Sequence, residues 1–155
     1  MRGWILLSSA IGAVVLVADQ ITKVLVERTF AWGESLPVWS FFSLTYVRNQ
    51  GAAWGMFQGA HYFLAGFAVV AMIACVCFWR KLFGASRATL PVGGLLFAGI
   101  VGNLIDRVRL GYVVDFLDFH WGTSHFPCFN IADCAICLAV FLMILIQWRT
   151  SSHDD

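Results

Sequence analysis

Asp115, in the run Gly111-Tyr112-Val113-Val114-Asp115-Phe116, and Asp133, in Phe129-Asn130-Ile131-Ala132-Asp133, stand at either end of a short polar stretch in a chain that is otherwise strongly apolar. A carboxylate beside hydrocarbon costs at least about 2–3 kcal/mol, so each needs partners. Two carboxyl groups brought close cannot both stay ionised, and such a pair suits hydrolysis: one takes a proton from water while the other protonates the carbonyl under attack. They should titrate as a coupled pair. Asp133, close to the expected start of a helix, is the candidate for the ionised base, because a helix N-terminus favours negative charge. Asp115, beside Val113, Val114 and Phe116, is the candidate for the protonated partner. The competing reading of Asp133 is a helix cap, a role open equally to Asn130.

The elements that must position this pair follow from composition. The chain has 155 residues, 60% of them hydrophobic and only 12% charged, with a mean hydropathy of +0.79, which fits a single integral membrane domain over 1–155 better than a soluble one. Ten Lys and Arg residues are scattered and the net charge is +1, so no basic face for nucleic acid is expected. Apolar runs at 4–26, 62–79, 88–105 and 131–148 are each long enough for ~30 Å of hydrocarbon, giving a mainly α membrane protein with four transmembrane helices. Arg2, the group Arg80, Lys81 and Arg87, and Arg149 lie on one side of these spans, which places both termini in the cytoplasm. The opposite side also holds Arg28, Arg48, Arg107 and Arg109, accompanied there by Glu27, Glu34, Asp115 and Asp118. The first run is too long for a cleaved signal peptide, and its Asp19 and Lys23 lie four apart on one helix face, where each can offset the other's burial.

The segments at 27–61 and 106–130 are expected outside the cytoplasm. In the first, Val38–Val47 is rich in aromatic and β-branched residues and reads as strand, while Trp32, Trp39, Tyr46 and Trp54 suit the headgroup region. In the second, Gly111–Phe119 favours extended structure until Gly122 and Pro127 interrupt it. Together they predict a small extracytoplasmic β-sheet on the outer membrane surface; the alternative is a loop whose aromatics merely anchor at the interface.

Other chemistries have less support. His61, His120, His125 and His153 show no paired ligand spacing for zinc, so metal-free chemistry is expected. Cys134-x-x-Cys137 lies inside an apolar helix without the strand-to-helix setting of a redox motif, and Cys75, Cys77 and Cys128 read equally as small hydrophobes. No nucleophile pattern such as Gly-x-Ser-x-Gly is present.

Five blocks in order give the chain a resemblance to the lipoprotein signal peptidases of bacteria, or signal peptidase II. They are Asp19-Gln20-Ile21-Thr22-Lys23, Asn49-Gln50-Gly51-Ala52-Ala53-Trp54-Gly55, Gly102-Asn103-Leu104-Ile105-Asp106-Arg107, Gly111 to Phe116, and Phe129 to Asp133. The resemblance implies an aspartic endopeptidase of the bacterial cytoplasmic membrane that cuts diacylglyceryl-modified prolipoproteins on the amino side of the lipidated cysteine. It implies Asp115 and Asp133 as the catalytic pair, with Asp19, Lys23, Asn49, Gly51, Asn103, Arg107 and Asn130 supporting the site or orienting substrate. It implies no metal, no cofactor and no partner beyond substrate and membrane lipid, with the chain a monomer. Trp54, where the family often has phenylalanine, and Cys134, where serine is common, are departures outside the catalytic chemistry. A substrate helix must unwind before cleavage; Asn49, Asn103 and Asn130 are the candidates to replace its lost bonds, and Arg107 could hold a carboxylate or carbonyl. The aromatic outer segment could cover the site and hold acyl chains. Two other classes stay open on the residues alone. A small proton- or cation-coupled transporter would use Asp19, Lys23, Asp106 and Arg107 as path-lining charges, although no internal repeat supports it. A noncatalytic assembly subunit would tolerate loss of either aspartate. Ser151–Asp155 reads as a short polar tail.

Overall fold

A computed structural model describes residues 2–51, 56–57, 59–83 and 89–151. The expectations attached to Trp54, Arg87, His153 and the end of the polar tail lie outside the described residues. In chain order the elements are α1 (Arg2–Thr29), β1 (Ser35–Trp39), β2 (Phe42–Asn49), α2 (His61–Cys77), α3 (Trp79–Phe83), α4 (Thr89–Leu110), β3 (Val113–Trp121), β4 (Ser124–His125) and α5 (Ile131–Ser151).

Among the described residues, three helices are long and apolar enough to cross a membrane: α1, α4 and α5 over Ile131–Arg149. The fourth expected span is shorter. Helix α2 has 17 residues, about 26 Å at 1.5 Å per residue, and breaks at Phe78, whose N–H reaches back to the Ala74 and Val76 carbonyls before α3 begins. Helix α4 runs five residues beyond the expected end at 105, so Asp106 and Arg107 belong to a helix and not to the outer segment. These two charges are tolerated in the helix because each finds partners on other elements, Asp106 in Lys23 and the Val114 N–H and Arg107 in the Gly51 carbonyl. The helix closes at Gly111, whose φ of +79° lets its N–H return to the Arg107 carbonyl at 3.1 Å, a left-handed cap that glycine adopts without a Cβ clash.

The bundle is polar inside and apolar outside. Of the six largest fully buried side chains, Lys23, Val114, Asn130, Asp19, Asp106 and Asp115, only Val114 is apolar. Exposed aliphatic and aromatic side chains instead cover the outer faces: Leu6, Val14, Val17 and Ile21 on α1, Phe67, Val70 and Ile73 on α2, Phe141 and Ile144 on α5. That inversion is the arrangement expected when hydrocarbon is the surrounding solvent. Helices without a hydrophobic drive between them associate through small residues, and α4 supplies these. A Cβ at Gly102 would stand 2.6 Å from Asp19 Oδ2 on α1, and one at Gly99 would stand 2.5 Å from the Ala132 carbonyl oxygen and 2.6 Å from Ile136 Cγ1 on α5. Ser8 Oγ adds a bond to the Leu90 carbonyl at 2.7 Å.

The sheet is antiparallel in the order β1-β2-β3-β4. The segment expected as one strand over 38–47 is a hairpin: β1 and β2 meet at Trp39 and Phe42, with Ser40 and Phe41 between them. Gly122, at φ +59°, turns β3 into β4. Strands β2 and β3 pair directly although α2, α3 and α4 intervene in sequence, from Phe42 opposite Phe119 to Asn49 opposite Val113, with a bulge between Leu44 and Val47 beside Asp115. One apolar cluster, Val26, Tyr46, Val114 and Phe116, seats the sheet on the helix ends. Arg48 closes its edge, the guanidinium carbon lying 5.4, 5.3 and 5.1 Å from the ring centres of Trp32, Tyr46 and Tyr112. The segment entering α5 joins the sheet as well: Leu117 N–H donates to the Phe129 carbonyl at 2.8 Å and Phe129 N–H returns to Leu117 at 3.2 Å.

Gly99→Ala is therefore expected to lower the thermal unfolding temperature in detergent, by an overpacking cost of about 1–3 kcal/mol. Gly66→Ala on α2, where nothing lies within 4 Å of the added carbon, should be neutral or slightly stabilising. Equal responses in the two variants would show that close approach of α4 and α5 is not limiting.

Candidate active site

Asp115 sits on β3 with 1% of its surface exposed and is held by amides. Oδ2 accepts from Asn49 Nδ2 at 2.9 Å and Oδ1 from Asn130 Nδ2 at 2.6 Å. Burial and then the nearby charge of Asp133 push its carboxyl up to about 7, against the lowering effect of the two amides and of Lys23. A carboxyl there holds a proton through much of the neutral range. Asn49 owes its aim to the chain that follows it: its Oδ1 accepts the Gly51 N–H at 3.0 Å, turning Nδ2 toward Asp115. Gly51 is held in turn by its carbonyl, which accepts from Arg107 Nη2 at 3.3 Å.

Asp133 lies in the first turn of α5 and is only half-buried. It forms a reciprocal cap with Asn130. Asn130 N–H donates to Asp133 Oδ2 at 3.2 Å, and Asp133 N–H donates to Asn130 Oδ1 at 3.0 Å, the pattern of a capping box with aspartate at the third position. Capping does not exhaust the carboxylate: its second oxygen, Oδ1, accepts from Asn103 Nδ2 at 2.7 Å. Asn130, itself fully buried, thus touches both aspartates.

Beneath this pair lies a second polar layer. Lys23 Nζ is 3.0 Å from Asp19 Oδ2, Asp106 Oδ2 and Asn103 Oδ1 alike, and all three of its ammonium protons are matched. Asp19 Oδ1 accepts the Ala132 N–H at 2.9 Å, and Asp106 Oδ2 accepts the Val114 N–H at 3.1 Å. Gln20 Nε2 spans the same two carboxylates, at 3.1 Å from Asp19 Oδ2 and 3.3 Å from Asp106 Oδ1. A buried ion of this kind survives desolvation only when its remaining lone pairs and protons are satisfied; here they are.

All nine residues singled out in the sequence, Asp19, Lys23, Asn49, Gly51, Asn103, Arg107, Asp115, Asn130 and Asp133, join one hydrogen-bonded network. Arg107 enters it through Gly51 and through Nη1 to the Asn103 carbonyl at 3.4 Å. Sequence reasoning missed Asp106 and Gln20 as supports. An acidic residue three positions after Asn103 on an apolar helix was the available signal. The three asparagines, expected as partners for an unwound substrate, each donate to a carboxylate, Asn49 and Asn130 to Asp115 and Asn103 to Asp133, while an amide NH2 carries two protons. Asp118, His120 and His125 lie apart, on the sheet: Asp118 binds Thr45 and His125, and His120 binds Ser43. Among the described residues, no three His, Cys, Asp or Glu side chains gather as metal ligands. A cavity of about 570 Å³ opens beside the network, lined by Arg107, Gln50, Tyr62, Tyr112 and their neighbours.

Residues 11–149 match the family model described as Signal peptidase (SPase) II. The chain is 48% identical over 151 residues to the lipoprotein signal peptidase of Geobacter metallireducens, covering 95% of this chain and 93% of that one. It is 44% identical over 144 residues to that of Syntrophotalea carbinolica, covering 90% and 89%. A solved bacterial membrane enzyme superposes with a TM-score of 0.86 at 38% identity over 96% of this chain and 91% of that chain. A second does so at 0.79 and 39% over 90% and 91%. These likenesses and the apolar helices make the chain an integral membrane protein.

The raised Asp115 carboxyl has a stability consequence. Its folded value, about 7, lies above the unfolded value near 3.8, so between these the unfolded chain binds fewer protons and stability falls as pH rises. Asp115→Asn removes this term. The unfolding temperature of the variant relative to wild type should therefore climb from pH 4 to pH 7 and level off above; a pH-independent difference would show that Asp115 titrates normally.

Proposed function

The chain belongs to the signal peptidase II family, and from that footing we propose that it is an aspartic endopeptidase that removes signal peptides from diacylglyceryl-modified prolipoproteins, with Asp115 and Asp133 as its catalytic pair. The observation that carries this reading is the shared contact through Asn130, which ties a buried carboxyl with a raised pKa to a half-buried carboxylate at a helix start. In this reading Asp133 takes a proton from water as the oxygen attacks the carbonyl preceding the lipidated cysteine, and Asp115 gives its proton to the carbonyl oxygen. The tetrahedral intermediate then collapses. The C–N bond breaks, a proton passes from the Asp133 carboxyl to the leaving cysteine nitrogen, and the hydroxyl proton returns to Asp115. The products are a signal peptide ending in a carboxylic acid and a lipoprotein beginning at cysteine. No step draws on a metal.

The arrangement supports this division of labour. Asp115 is enclosed by neutral amides and, among the described residues, no cation pairs with it directly, which keeps its proton. Asp133 lies at the positive end of the α5 dipole and is open enough to meet water. An unwound substrate backbone would find partners among Arg107, the remaining amide protons of Asn49 and Asn103, and the cavity beside them. The site is proposed to lie near the extracytoplasmic face of the bacterial cytoplasmic membrane, with both termini inside and the monomer as the working unit.

The test is cleavage of a diacylglyceryl-modified prolipoprotein by purified protein in detergent with chelator present. Wild type should cut before the lipidated cysteine at an undiminished rate, and kcat/KM should fall above pH 7 as Asp115 loses its proton. Asp115→Asn and Asp133→Asn, checked for folding by thermal unfolding, should each lose at least ~10³-fold in kcat. Folded wild type that does not cleave, or either variant that retains activity, would overturn the reading.

A further inference from the structure

Two acidic side chains that play no direct part in the proposed chemistry grip the backbone at matching places. Asp19 holds the N–H of Ala132, the residue before Asp133, and Asp106 holds the N–H of Val114, the residue before Asp115. One ammonium, Lys23 Nζ, lies 3.0 Å from each of them, and Gln20 Nε2 bridges them a second time. The third proton of Lys23 fixes the Asn103 oxygen at 3.0 Å, which turns the Asn103 NH2 toward Asp133. The two aspartates of the pair come from a strand and a helix, and this set of buried bonds joins the backbones beside them.

We infer that Asp106 is a positioning residue: with Asp19, Lys23 and Gln20 it forms one buried brace that sets where the two catalytic aspartates stand and holds a net negative charge beneath them. The inference rests on the aspartic reading above. Two carboxylates and one ammonium meet in the brace, and of these Lys23 lowers the Asp115 carboxyl, so charge placed in the brace acts on Asp115. The charged and titratable groups around Asp115 are Asp133 on α5, Asp19 and Lys23 on α1, Asp106 and Arg107 on α4, and Asp118 and Cys128 in and after β3. A change in brace charge should therefore reach Asp115 with a definite sign. Removing negative charge, or adding positive charge, favours ionised Asp115 and moves the loss of its proton to lower pH.

Two variants separate charge from geometry. Asp106→Asn keeps an acceptor for Val114 N–H but brings the brace to neutrality and weakens the grip of Lys23. Gln20→Lys also brings it to neutrality while leaving both carboxylates and donors to both in place. In prolipoprotein cleavage, Asp106→Asn is expected to lower kcat roughly tenfold or more through misplacement, with KM much less affected. In both variants the alkaline limb of the kcat/KM profile should move down by on the order of one pH unit. Below that limb Gln20→Lys, which keeps both carboxylates, should lose less kcat than Asp106→Asn. Thermal unfolding confirms that each variant is folded, and Gln20→Lys preserves the test should Asp106→Asn fail to fold. A limb that stays put in folded Gln20→Lys, or an Asp106→Asn enzyme with unchanged kcat, would overturn the inference; a lowered kcat with an unmoved limb would reduce the brace to a fold-stabilising ion pair. Wild type and Asp115→Asn run in parallel distinguish this from failure of the aspartic reading, since loss of activity in Asp115→Asn upholds that reading whatever the brace variants do.

Discussion

An ammonium with no exposed surface, shared by carboxylates from two helices, is the constraint around which the rest of the molecule is arranged. Lys23 and Asp19 come from α1 and Asp106 from α4, and each is fully buried. Removing one partner from such a set leaves an uncompensated charge, a loss of about 3–5 kcal/mol in comparable cases. The geometry is correspondingly narrow: three contacts at one distance, each carboxylate spending its other bonds on a backbone N–H or on Gln20. Helices that drifted apart by one side-chain width would strand the ion, so α1, α4 and α5 must meet closely.

The glycines of α4 meet that demand. Gly102 leaves room for the Asp19 carboxylate itself, and Gly99 lets the carbonyl of Ala132 come against the helix backbone. Thus the small residues on one face of α4 and the charges around Lys23 are two halves of one requirement. The same helix delivers Asn103, Asp106 and Arg107 to three different parts of the site, at the centre, below and at the cavity wall.

Much of this was legible in the sequence. Charged and amide residues interrupting apolar runs are conspicuous, and Asp115, Asp133 and the seven residues named with them lie in one hydrogen-bonded network. Long apolar stretches marked α1, α4 and α5 for a simple reason: a lipid-facing helix needs no alternation. What the sequence hid depended on partners distant in the chain. Asp106 and Arg107 looked like the start of a loop, because nothing local shows that Lys23 and the Gly51 carbonyl await them. The β1–β2 turn was invisible because Ser40 and Phe41 lack the glycine or asparagine that usually betrays a hairpin. The asparagines offered their donors and acceptors to any reading, and only the fold reveals that each donates to one of the two carboxyl groups.

The pairing of β2 with β3 has a consequence for how the enzyme comes into being. Asn49 is made early and its partner Asp115 late, with three helices between them, so the contact that completes the site has high sequence separation and is expected to form late. Until β3 has zipped onto β2, Asp115 lacks its bond from Asn49, and until α4 has packed, Asp133 lacks its bond from Asn103. The Asn49–Asp115 bond thus belongs to the finished fold, and a chain still lacking β3 holds only half of it.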